Sequence, residues 1–469
     1  MSEQMIRERS VDVAVIGAGT AGLAAYRAAV AVGRGAVLIE GGAHGTTCAR
    51  VGCMPSKLLI AAAEVAYEIR HAGPFGLRAT IEVDRRAVMD RVRQERDRFV
   101  GLVVAGVERI PSTDRITGYA RFLAPGVLDV AGSIVRANAV VVATGSSPVI
   151  PPMFAELGDR AIVNDDVFAW EQLPDSVAVF GAGVIGLELG QALHRLGVRV
   201  RIFGKGGRLG PLTDPAVRMT FVNSLSAELP LDLDARVRSV RRVGDRVLVD
   251  WEDREDRVAV ESFDFALVAA GRRPNLSALD VERAGVRLDA RGLLATDRTT
   301  ARVGASSLFL AGDVNPSSPL LHEAADEGRI AGEGAAVYPA HRPGLRRSPL
   351  NIVFTDPQLA VAGESFAQLQ ARGASIVIGE VSFEDQGRSR VMLKNRGMAR
   401  LYADRETGRF LGAEMAGPRA ENIGHLLAWA HQSELTIQQM LAMPFYHPVV
   451  EEGIRTALRD AAVRLAAGR

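Results

Sequence analysis

The stretch that decides the fold reads VDVAVIGAGTAGLAAYRAAVAVGRGAVLIE, residues 11–40. A short β-branched run opens it and leads at once into Gly17, Gly19 and Gly22. An alanine-rich segment follows, and a second apolar run ends at Glu40. Short apolar runs are typical of buried strands and the alanine-rich segment favours a helix, so the stretch predicts a strand, a tight turn, a helix and a second strand.

The three glycines have separate physical tasks in such a unit. The first permits the tight turn, the second lets the backbone approach a pyrophosphate, and the third lets the helix pack close to the strand. The helix N-terminus offers free N–H groups and the positive end of its dipole to phosphate. Glu40 falls where a carboxylate accepts the hydroxyls of an adenosine ribose. A plain glycine turn is less favoured, because the flanking strands and the terminal acid are both present.

The same pattern recurs without a gap at residues 176–204, SVAVFGAGVIGLELGQALHRLGVRVRIFG. Its three glycines are Gly181, Gly183 and Gly186. Gly204 falls opposite Glu40, and VVVATGSSP (140–148) is echoed by ALVAAGRRP (266–274). The repeat predicts an α/β fold with two Rossmann-like nucleotide-binding domains of one ancestry.

The second copy differs from the first at the residue that would read the ribose. Gly204 lacks the carboxylate that favours a free 2′-hydroxyl and repels a 2′-phosphate. Lys205 and Arg208 follow and could pair with that phosphate, although such residues are also ordinary in a surface loop. Gly186 favours the opposite choice, since NADPH-specific enzymes often carry alanine there. We expect NADPH or dual use, and NADH stays open.

Composition and charge narrow the class of protein. The chain has 469 residues, a formal net charge of +1 and no long block of like charge, so nucleic acid is not an expected partner. The start, MSEQMIRERS, carries charges of both signs and no apolar segment. No apolar stretch approaches the ~20 residues of a membrane helix. We therefore expect a cytoplasmic protein without membrane contact.

Only two cysteines are present, Cys48 and Cys53, in GTTCARVGCMPSKLLIAAAEVAYEIR, residues 45–70. From about the first cysteine the residues favour a helix, in which Cα atoms five residues apart are separated by about 7.5 Å. A disulfide needs less than about 7 Å, so bridging the pair requires a distortion. Gly52 and Pro55 suit that need, because glycine relaxes the backbone and proline removes an N–H.

Two such cysteines could also be packing residues or part of a zinc site. Zinc usually takes two further ligands and a shorter cysteine spacing. Redox chemistry is favoured, because the pair directly follows a dinucleotide unit and a helix N-terminus stabilises thiolate. Lys57, four residues after Cys53, shares its face of the helix and would favour negative charge there.

The segment GTTCARVGCMPSK resembles the active-site segment of the class I pyridine nucleotide–disulfide oxidoreductases. Four later segments extend the resemblance over essentially the whole chain: LFLAGDVN (308–315), PLLHEAADEG (319–328), NIVFTDPQLAVAG (351–363) and PFYHPVVEE (444–452). The resemblance implies an enzyme that passes two electrons between NAD(P)(H), FAD, the Cys48–Cys53 disulfide and a dithiol or disulfide substrate. It also implies a homodimer.

The resemblance assigns residues to both cofactors and implies no metal site. For FAD they are Gly17, Gly19, Gly22, Glu40, Lys57, Ala120, Thr144, Gly145 and Asp313. For NAD(P) they are Gly181, Gly183, Gly186, Glu188, Lys205 and Gly271. Asp313 would bond the ribityl chain, and Lys57 would lie near flavin N5 and pair with Glu188. Cys53 would be the charge-transfer thiol facing the flavin, and Cys48 would exchange with the substrate.

His447, followed by proline, is implied to be the acid–base that reaches into the partner subunit's site. Glu452 would orient it, and Glu451 is the less favoured neighbour. A lone histidine is more often structural, but the His-Pro…Glu context reverses that expectation. The chemistry requires such a group, because a thiolate attacks a disulfide and a proton must be taken and returned. A histidine steadied by a carboxylate performs this near neutral pH.

The sequence also departs from the usual family pattern. Ala49-Arg50 replaces the common Leu-Asn after the first cysteine, Val449 replaces threonine, and Gln358 replaces glutamate. Tyr446 is an aromatic residue where a small one is usual. These changes leave the electron path intact and leave the natural disulfide open.

Within the family, the ending CMPSK resembles the lipoamide dehydrogenase form more than the glutathione reductase form. The chain has no C-terminal cysteine pair of the mercuric reductase type and retains the first redox cysteine, which disfavours a soluble transhydrogenase. Dihydrolipoamide/lipoamide is therefore the expected substrate pair, with a lipoyl-bearing acyltransferase complex as a candidate partner. An NADPH-dependent reductase of another low-molecular-weight disulfide is the main alternative. A non-catalytic docking subunit of a multienzyme complex is disfavoured by the complete set of reactive residues.

The motifs divide the chain into four predicted parts. Residues 1–149 form the FAD-binding domain with the redox disulfide, and 150–275 form the NAD(P)-binding domain. Residues 276–345 return to complete the FAD site. Residues 346–469 form an α+β interface domain, as the dimer requires.

Overall fold

A computed structural model of the chain describes residues 8–253, 257–315 and 320–467. Pro319, the first residue of PLLHEAADEG, lies outside the described residues, as do the outermost residues of the two predicted terminal domains. The chain forms two compact units. Of the described residues, the first unit combines those within 8–55, 91–149 and 271–346, and the second combines those within 56–90, 150–270 and 347–467.

The first unit is built on a seven-stranded sheet. Its strands lie in the order Arg115–Thr117, Ala36–Glu40, Glu8–Ile16, Ser133–Val142, Val127–Val130 and Ala120–Ala124, and Leu308–Leu310 also pairs with Ser133–Val142. Pairing is parallel at the centre, with Val15 opposite Leu38 on one side and Val141 on the other. The helices Thr20–Ala31 and Leu321–Ala336 pack together beside it. Ser146–Pro148 and Arg272–Pro274 pair separately.

The second unit contains a parallel sheet of five strands. Their order is Leu231–Asp232, Arg199–Phe203, Ser176–Phe180, Phe265–Val268 and Ala161–Ile162. An antiparallel sheet of Arg236–Val243, Arg246–Glu252 and Val258–Phe263 packs against it through Phe180, Phe203 and Trp251. The helices of this part are Asn164–Val167, Val184–Arg195 and Pro215–Ser226.

The C-terminal part of the second unit is an antiparallel sheet covered by helices. The strand order is Leu350–Val353, Gln358–Gly363, Phe410–Gly417, Met398–Asp404 and Ile376–Ser382. The helices are Phe366–Ala371, Gly387–Val391, Ala420–Gln432, Ile437–Leu441 and Glu452–Ala467. The central strand Phe410–Gly417 is buried along its whole length, which suits its small and apolar residues, and Glu414 is its one ionisable side chain.

Three further helices lie in the chain between the strands Ala36–Glu40 and Arg115–Thr117. They are Thr47–Val51, Cys53–Arg70 and Arg85–Glu108. Short 3₁₀ turns complete the described chain at Gly73–Phe75, Ser112–Asp114, Pro152–Arg160, Ser277–Leu279 and Val281–Ala284. Among the described residues, no helix combines the length and the apolar character needed to cross a bilayer.

The predicted fold class is confirmed, because two Rossmann-like folds and a C-terminal α+β domain are present. The internal repeat extends to backbone hydrogen bonds. Gly17 N donates to Ile39 O at 2.7 Å, and Gly181 N donates to Phe203 O at 2.8 Å. The division of the chain into four domains stays a prediction.

Candidate active site

The first glycine turn has the shape that a dinucleotide needs. Gly17 has φ +105°, and a Cβ there would lie 2.4 Å from the carbonyl oxygen of Ala143. A Cβ on Gly22 would lie 1.8 Å from Gly17 O, so the turn and helix are in closer contact than a side chain permits. A Cβ on Gly19 would meet open space, which leaves the backbone accessible. The residues present therefore fit a bound pyrophosphate.

The carboxylate predicted to read the adenosine ribose is fixed by backbone groups. Glu40 Oε2 accepts from Ala18 N at 2.7 Å, and Oε1 accepts from Gly42 N at 2.8 Å. Each carboxylate oxygen can accept a further bond, so the ribose hydroxyls have acceptors available. This part of the first unit fits the adenosine half of FAD.

The second glycine turn repeats this geometry. Gly181 has φ +120°, and its Cβ would lie 2.4 Å from Ala269 O. A Cβ on Gly186 would lie 1.9 Å from Gly181 O, and one on Gly183 would again meet open space. Both turns lead into helices that lack a side-chain cap, so backbone N–H groups remain for phosphate. The second unit therefore also fits a dinucleotide.

Gly204, opposite Glu40 in the repeat, is buried, and there is a steric reason for a glycine at this position. A Cβ there would lie 2.7 Å from both Cα and O of Leu233, in the segment that follows the edge strand. Lys205 and Arg208 are exposed, and neither forms an ion pair with a described residue. The cationic pair is thus available to a ligand, and the position opposite Glu40 does not accommodate a side chain.

The two cysteines lie on either side of a break between two helices. Thr47–Val51 ends at Gly52, whose φ of −127° and ψ of −119° interrupt the helical path before the helix that begins at Cys53. A Cβ on Gly52 would lie 3.1 Å from Cys48 Cα. No disulfide joins the two cysteines in this structure, in which Cys48 is half-buried and Cys53 is exposed. The expected distortion is therefore located at Gly52.

The environment of Cys48 raises its pKa. The hydrogen bond with the Cys53 thiol and burial both act in that direction, and the backbone N–H groups of Cys53 and Met54 act against them. The expectation that a helix N-terminus would favour thiolate is thus correct for these N–H groups and wrong for the net shift at Cys48. A thiol whose pKa is raised loses its proton less readily, so we expect the activation of Cys48 to need a base.

Lys57 and Glu188 form the predicted ion pair. Lys57 Nζ lies 2.7 Å from Glu188 Oε2, and the Glu188 side chain is 5% exposed. Glu188 Oε1 accepts from Phe354 N at 2.9 Å, and the ammonium lies 4.5 Å from the centroid of the Phe354 ring. A charge buried this deeply needs such partners. The pair is therefore fixed in place, while the roles of both residues stay predictions.

His447 and Glu452 are also brought together. His447 Nδ1 lies 3.0 Å from Glu452 Oε2 and 3.1 Å from Oε1, and Val449 N donates to the same carboxylate at 3.3 Å. These hydrogen bonds, the one from His447 first, hold the pKa of Glu452 below its usual range. The His447 side chain is 81% exposed and Tyr446 beside it is 79% exposed. Glu452, the predicted neighbour, is thus the carboxylate that contacts the histidine.

The remaining residues assigned to FAD lie in the first unit around Ser146. Ser146 Oγ donates to Asp313 Oδ2 at 3.2 Å, and Arg272 Nε donates to Ser146 Oγ at 2.9 Å. Thr144 Oγ1 donates to the carbonyl of Asn275 at 2.7 Å. Gly145, assigned to FAD, adopts positive φ, and Ala120 is buried in the core that contains Ile16 and Ile39. Gly271, assigned to NAD(P), also adopts positive φ.

Sequence reasoning missed the residue that holds the Asp313 turn. Glu327 is 2% exposed and accepts from Gly312 N at 3.0 Å and from Asn315 Nδ2 at 3.1 Å. Arg346 Nη1 pairs with it at 3.1 Å. Burial raises the pKa of Glu327, and Arg346 opposes that shift. The three acidic residues within PLLHEAADEG were the available signal.

Comparison with protein families gives two matches that together span most of the chain. Residues 11–328 match the pyridine nucleotide-disulphide oxidoreductase family, and residues 350–458 match the dimerisation domain of the same family.

Full-length relatives agree with these matches. The chain is 31% identical over 467 residues to dihydrolipoyl dehydrogenase 3 of Pseudomonas putida, covering 96% of this chain and 97% of the relative. It is 30% identical over 465 residues to the mitochondrial dihydrolipoyl dehydrogenase 1 of Arabidopsis thaliana, covering 95% and 89%.

Two solved structures are similar over nearly the whole chain. LpdA from Mycobacterium tuberculosis superposes with a TM-score of 0.82 at 27% identity, covering 96% of this chain and 99% of LpdA. The HOCl-induced flavoprotein disulfide reductase RclA from Escherichia coli, as a Cu(II) complex, has a TM-score of 0.80 at 23% identity, covering 96% and 99%. The second likeness shows the fold alone.

Proposed function

This chain belongs to the class I pyridine nucleotide–disulfide oxidoreductases, and we propose that within this family it exchanges two electrons between NAD(P)(H) and the dihydrolipoamide/lipoamide pair. Membership makes it an FAD-dependent oxidoreductase with the family's dimerisation domain, which supports a homodimer. The lipoyl substrate is the part proposed here. It is supported by relatives named dihydrolipoyl dehydrogenase that match 95% and 96% of the chain.

The observation that carries the chemistry is the placement of the two thiols around Gly52. In the proposed reaction, one thiol of dihydrolipoamide gives its proton to His447 of a second chain. The resulting thiolate forms a bond to Cys48 sulfur, and the Cys48–Cys53 bond breaks with Cys53 leaving as thiolate. The second substrate thiol then displaces Cys48 and closes the lipoamide ring. The imidazolium gives its proton to the leaving Cys48 and takes up the proton of the second thiol, so the reduced enzyme holds one proton on Cys48 and one on His447.

The other residues hold this arrangement ready. Glu452 orients the imidazole, so that the same ring accepts and returns the proton. The raised pKa of Cys48 favours its reprotonation after the substrate leaves. Lys57, held by Glu188, would place positive charge beside the flavin. Bound FAD supplies the two-electron link between the dithiol and the nicotinamide.

The test is an assay of the purified holoenzyme with NADH and NADPH separately, using lipoamide or glutathione disulfide as the oxidant. Rapid lipoamide reduction with slow glutathione disulfide reduction supports the proposal. Rapid flavin reduction with lipoamide left nearly untouched would overturn it.

A second candidate is an NADPH-dependent reductase of another small disulfide. The observation in its favour is the site opposite Glu40, where Gly204 excludes an acid and leaves Lys205 and Arg208 exposed. Those cations suit a 2′-phosphate. A strong preference for NADPH together with inactivity toward lipoamide would favour this candidate.

The lipoamide proposal also includes a partner protein that carries lipoyl groups. An acyltransferase with lipoyl domains would present the dithiol to the exposed redox site. Co-purification of the holoenzyme with such an acyltransferase, measured by size-exclusion chromatography, tests it, and elution of the two as separate species would count against it.

A further inference from the structure

A fully buried carboxylate stands in the central strand of the C-terminal sheet. The strand Phe410–Gly417 reads FLGAEMAG, and Glu414 is 0% exposed. Burying an ionised carboxylate is unfavourable unless its oxygens are hydrogen-bonded. The position of Glu414 therefore requires an account of its partners.

Among the described residues, the side chain of Glu414 accepts hydrogen bonds from two other segments of the same unit. Its Oε2 accepts from Thr213 N at 2.6 Å and from Asp214 N at 2.8 Å. Its Oε1 accepts from the Thr213 hydroxyl and from Phe366 N, the latter at 2.9 Å. Three of the four donors belong to Thr213 and Asp214, so the carboxylate mainly holds that dipeptide.

Asp214 forms a second buried anchor at the same place. It is 0% exposed and caps the helix Pro215–Ser226 by accepting from Ala216 N at 2.9 Å. Tyr402, in the neighbouring strand of the C-terminal sheet, donates to Asp214 Oδ2 at 3.1 Å. Burial and then the two carboxylates Glu414 and Asp214 raise the pKa of Tyr402, so its hydroxyl stays a donor.

The dipeptide Thr213-Asp214 ends the loop that follows the strand Arg199–Phe203. Residues 204–212 of this loop carry Lys205 and Arg208, and Gly210 N donates to Ala182 O, in the second glycine turn, at 2.8 Å. Arg218, in the capped helix, donates to Leu212 O at 2.9 Å. The loop is therefore tied to the glycine turn at one point and to Glu414 at its end.

We propose that Glu414 is a positioning residue for pyridine nucleotide binding, which acts by holding the loop 204–212 through Thr213 and Asp214. The proposal rests on the assignment of the second glycine turn to NAD(P). It makes coenzyme affinity depend on a strand of the dimerisation domain. Neither Glu414 nor Thr213 needs to touch the coenzyme.

The test measures flavin reduction by NADPH and by NADH in stopped flow, with the holoenzyme and without any disulfide. Thr213→Val removes one hydroxyl from Glu414, and we expect the apparent Kd for the coenzyme to rise about ten-fold, with the limiting rate changed less than about two-fold. Thr213→Ser restores the hydroxyl and should restore the affinity.

Thr220→Val is the matched control, because Thr220 lies in the helix that Asp214 caps, and among the described residues its hydroxyl donates to Ala216 O and Met398 Sδ and not to Glu414. A Thr213→Val enzyme with the same coenzyme affinity as the Thr220→Val enzyme overturns the proposal, even if it is less stable. Should Thr213→Val yield no folded flavoprotein, Glu414→Gln gives the same comparison, since it keeps one acceptor oxygen and removes the other. The readout needs no disulfide, so inactivity with lipoamide would overturn the proposed substrate and leave this result standing.

Discussion

His447 is held in a fixed geometry in a single chain and is nevertheless open to solvent. Its Nδ1 lies 3.0 Å from Glu452, while its side chain is 81% exposed. An acid–base group in this state fits a site that a second chain completes. We therefore predict that two inactive variants, His447→Ala and Cys48→Ala, regain activity when they share a dimer.

The size of the effect follows from two-fold symmetry. In a dimer with one chain of each variant, one shared site contains both substitutions and the other contains neither. The purified mixed dimer should reach about half of the wild-type kcat, and a random mixture should reach about a quarter, because half of its dimers are mixed. Each variant alone should retain only a small fraction of the wild-type rate of lipoamide reduction.

The assay uses co-expression with two affinity tags, sequential purification of the mixed dimer, and lipoamide reduction normalised to FAD content. The control pairs a wild-type chain with a chain that carries both substitutions. With shared sites each site of that control lacks one group, so it should be inactive. An inactive mixed dimer together with a half-active control is the opposite pattern and would refute the reasoning.

Three further predictions concern single residues. Glu452→Gln should lower kcat for lipoamide about 10- to 100-fold and leave flavin reduction by the coenzyme unchanged, while Glu451→Gln behaves as wild type. Because the pKa of Glu452 is lowered, its carboxylate persists to pH values below its ordinary pKa and is lost only as the pH falls through the lowered pKa. The wild-type advantage over Glu452→Gln should therefore be flat at neutral pH and disappear in acid. Glu327→Gln should speed FAD release, measured by the rise of free-flavin fluorescence, and Glu333→Gln on the same helix should not. Lys205→Ala should raise the KM for NADPH about ten-fold and leave the KM for NADH within two-fold, and equal effects on both would exclude a 2′-phosphate contact.

The sequence pattern was sufficient to predict the features that depend on contacts between residues close together in the chain. The glycine turns followed from spacing alone, because Gly17 and Gly22 approach each other within one turn and helix. The break at Gly52 followed from comparing helix geometry with disulfide geometry. The ion pair of Lys57 with Glu188 is separated by 131 positions and was predicted only through family resemblance.

Contacts between distant segments account for what was missed. In the sequence, Glu414 is only a polar residue within an apolar strand. Its role depends on Thr213, which is 201 positions away in the chain and contacts it only in the folded structure. Gly204 suggested a choice between coenzymes, whereas the backbone of Leu233 supplies a steric reason for glycine. The pKa of Cys48 is set by its separation from Cys53 and by burial, and neither quantity can be derived from spacing.

The two glycine turns share the same backbone contacts, and this likeness has a consequence for inhibitors. A compound that imitates only the pyrophosphate would find similar N–H groups at both turns. Discrimination must come from the strand ends, where one site presents Glu40 and the other presents Gly204 with a neighbouring lysine. An adenosine analogue with an anionic group at its 2′ position should therefore displace the coenzyme and spare the flavin.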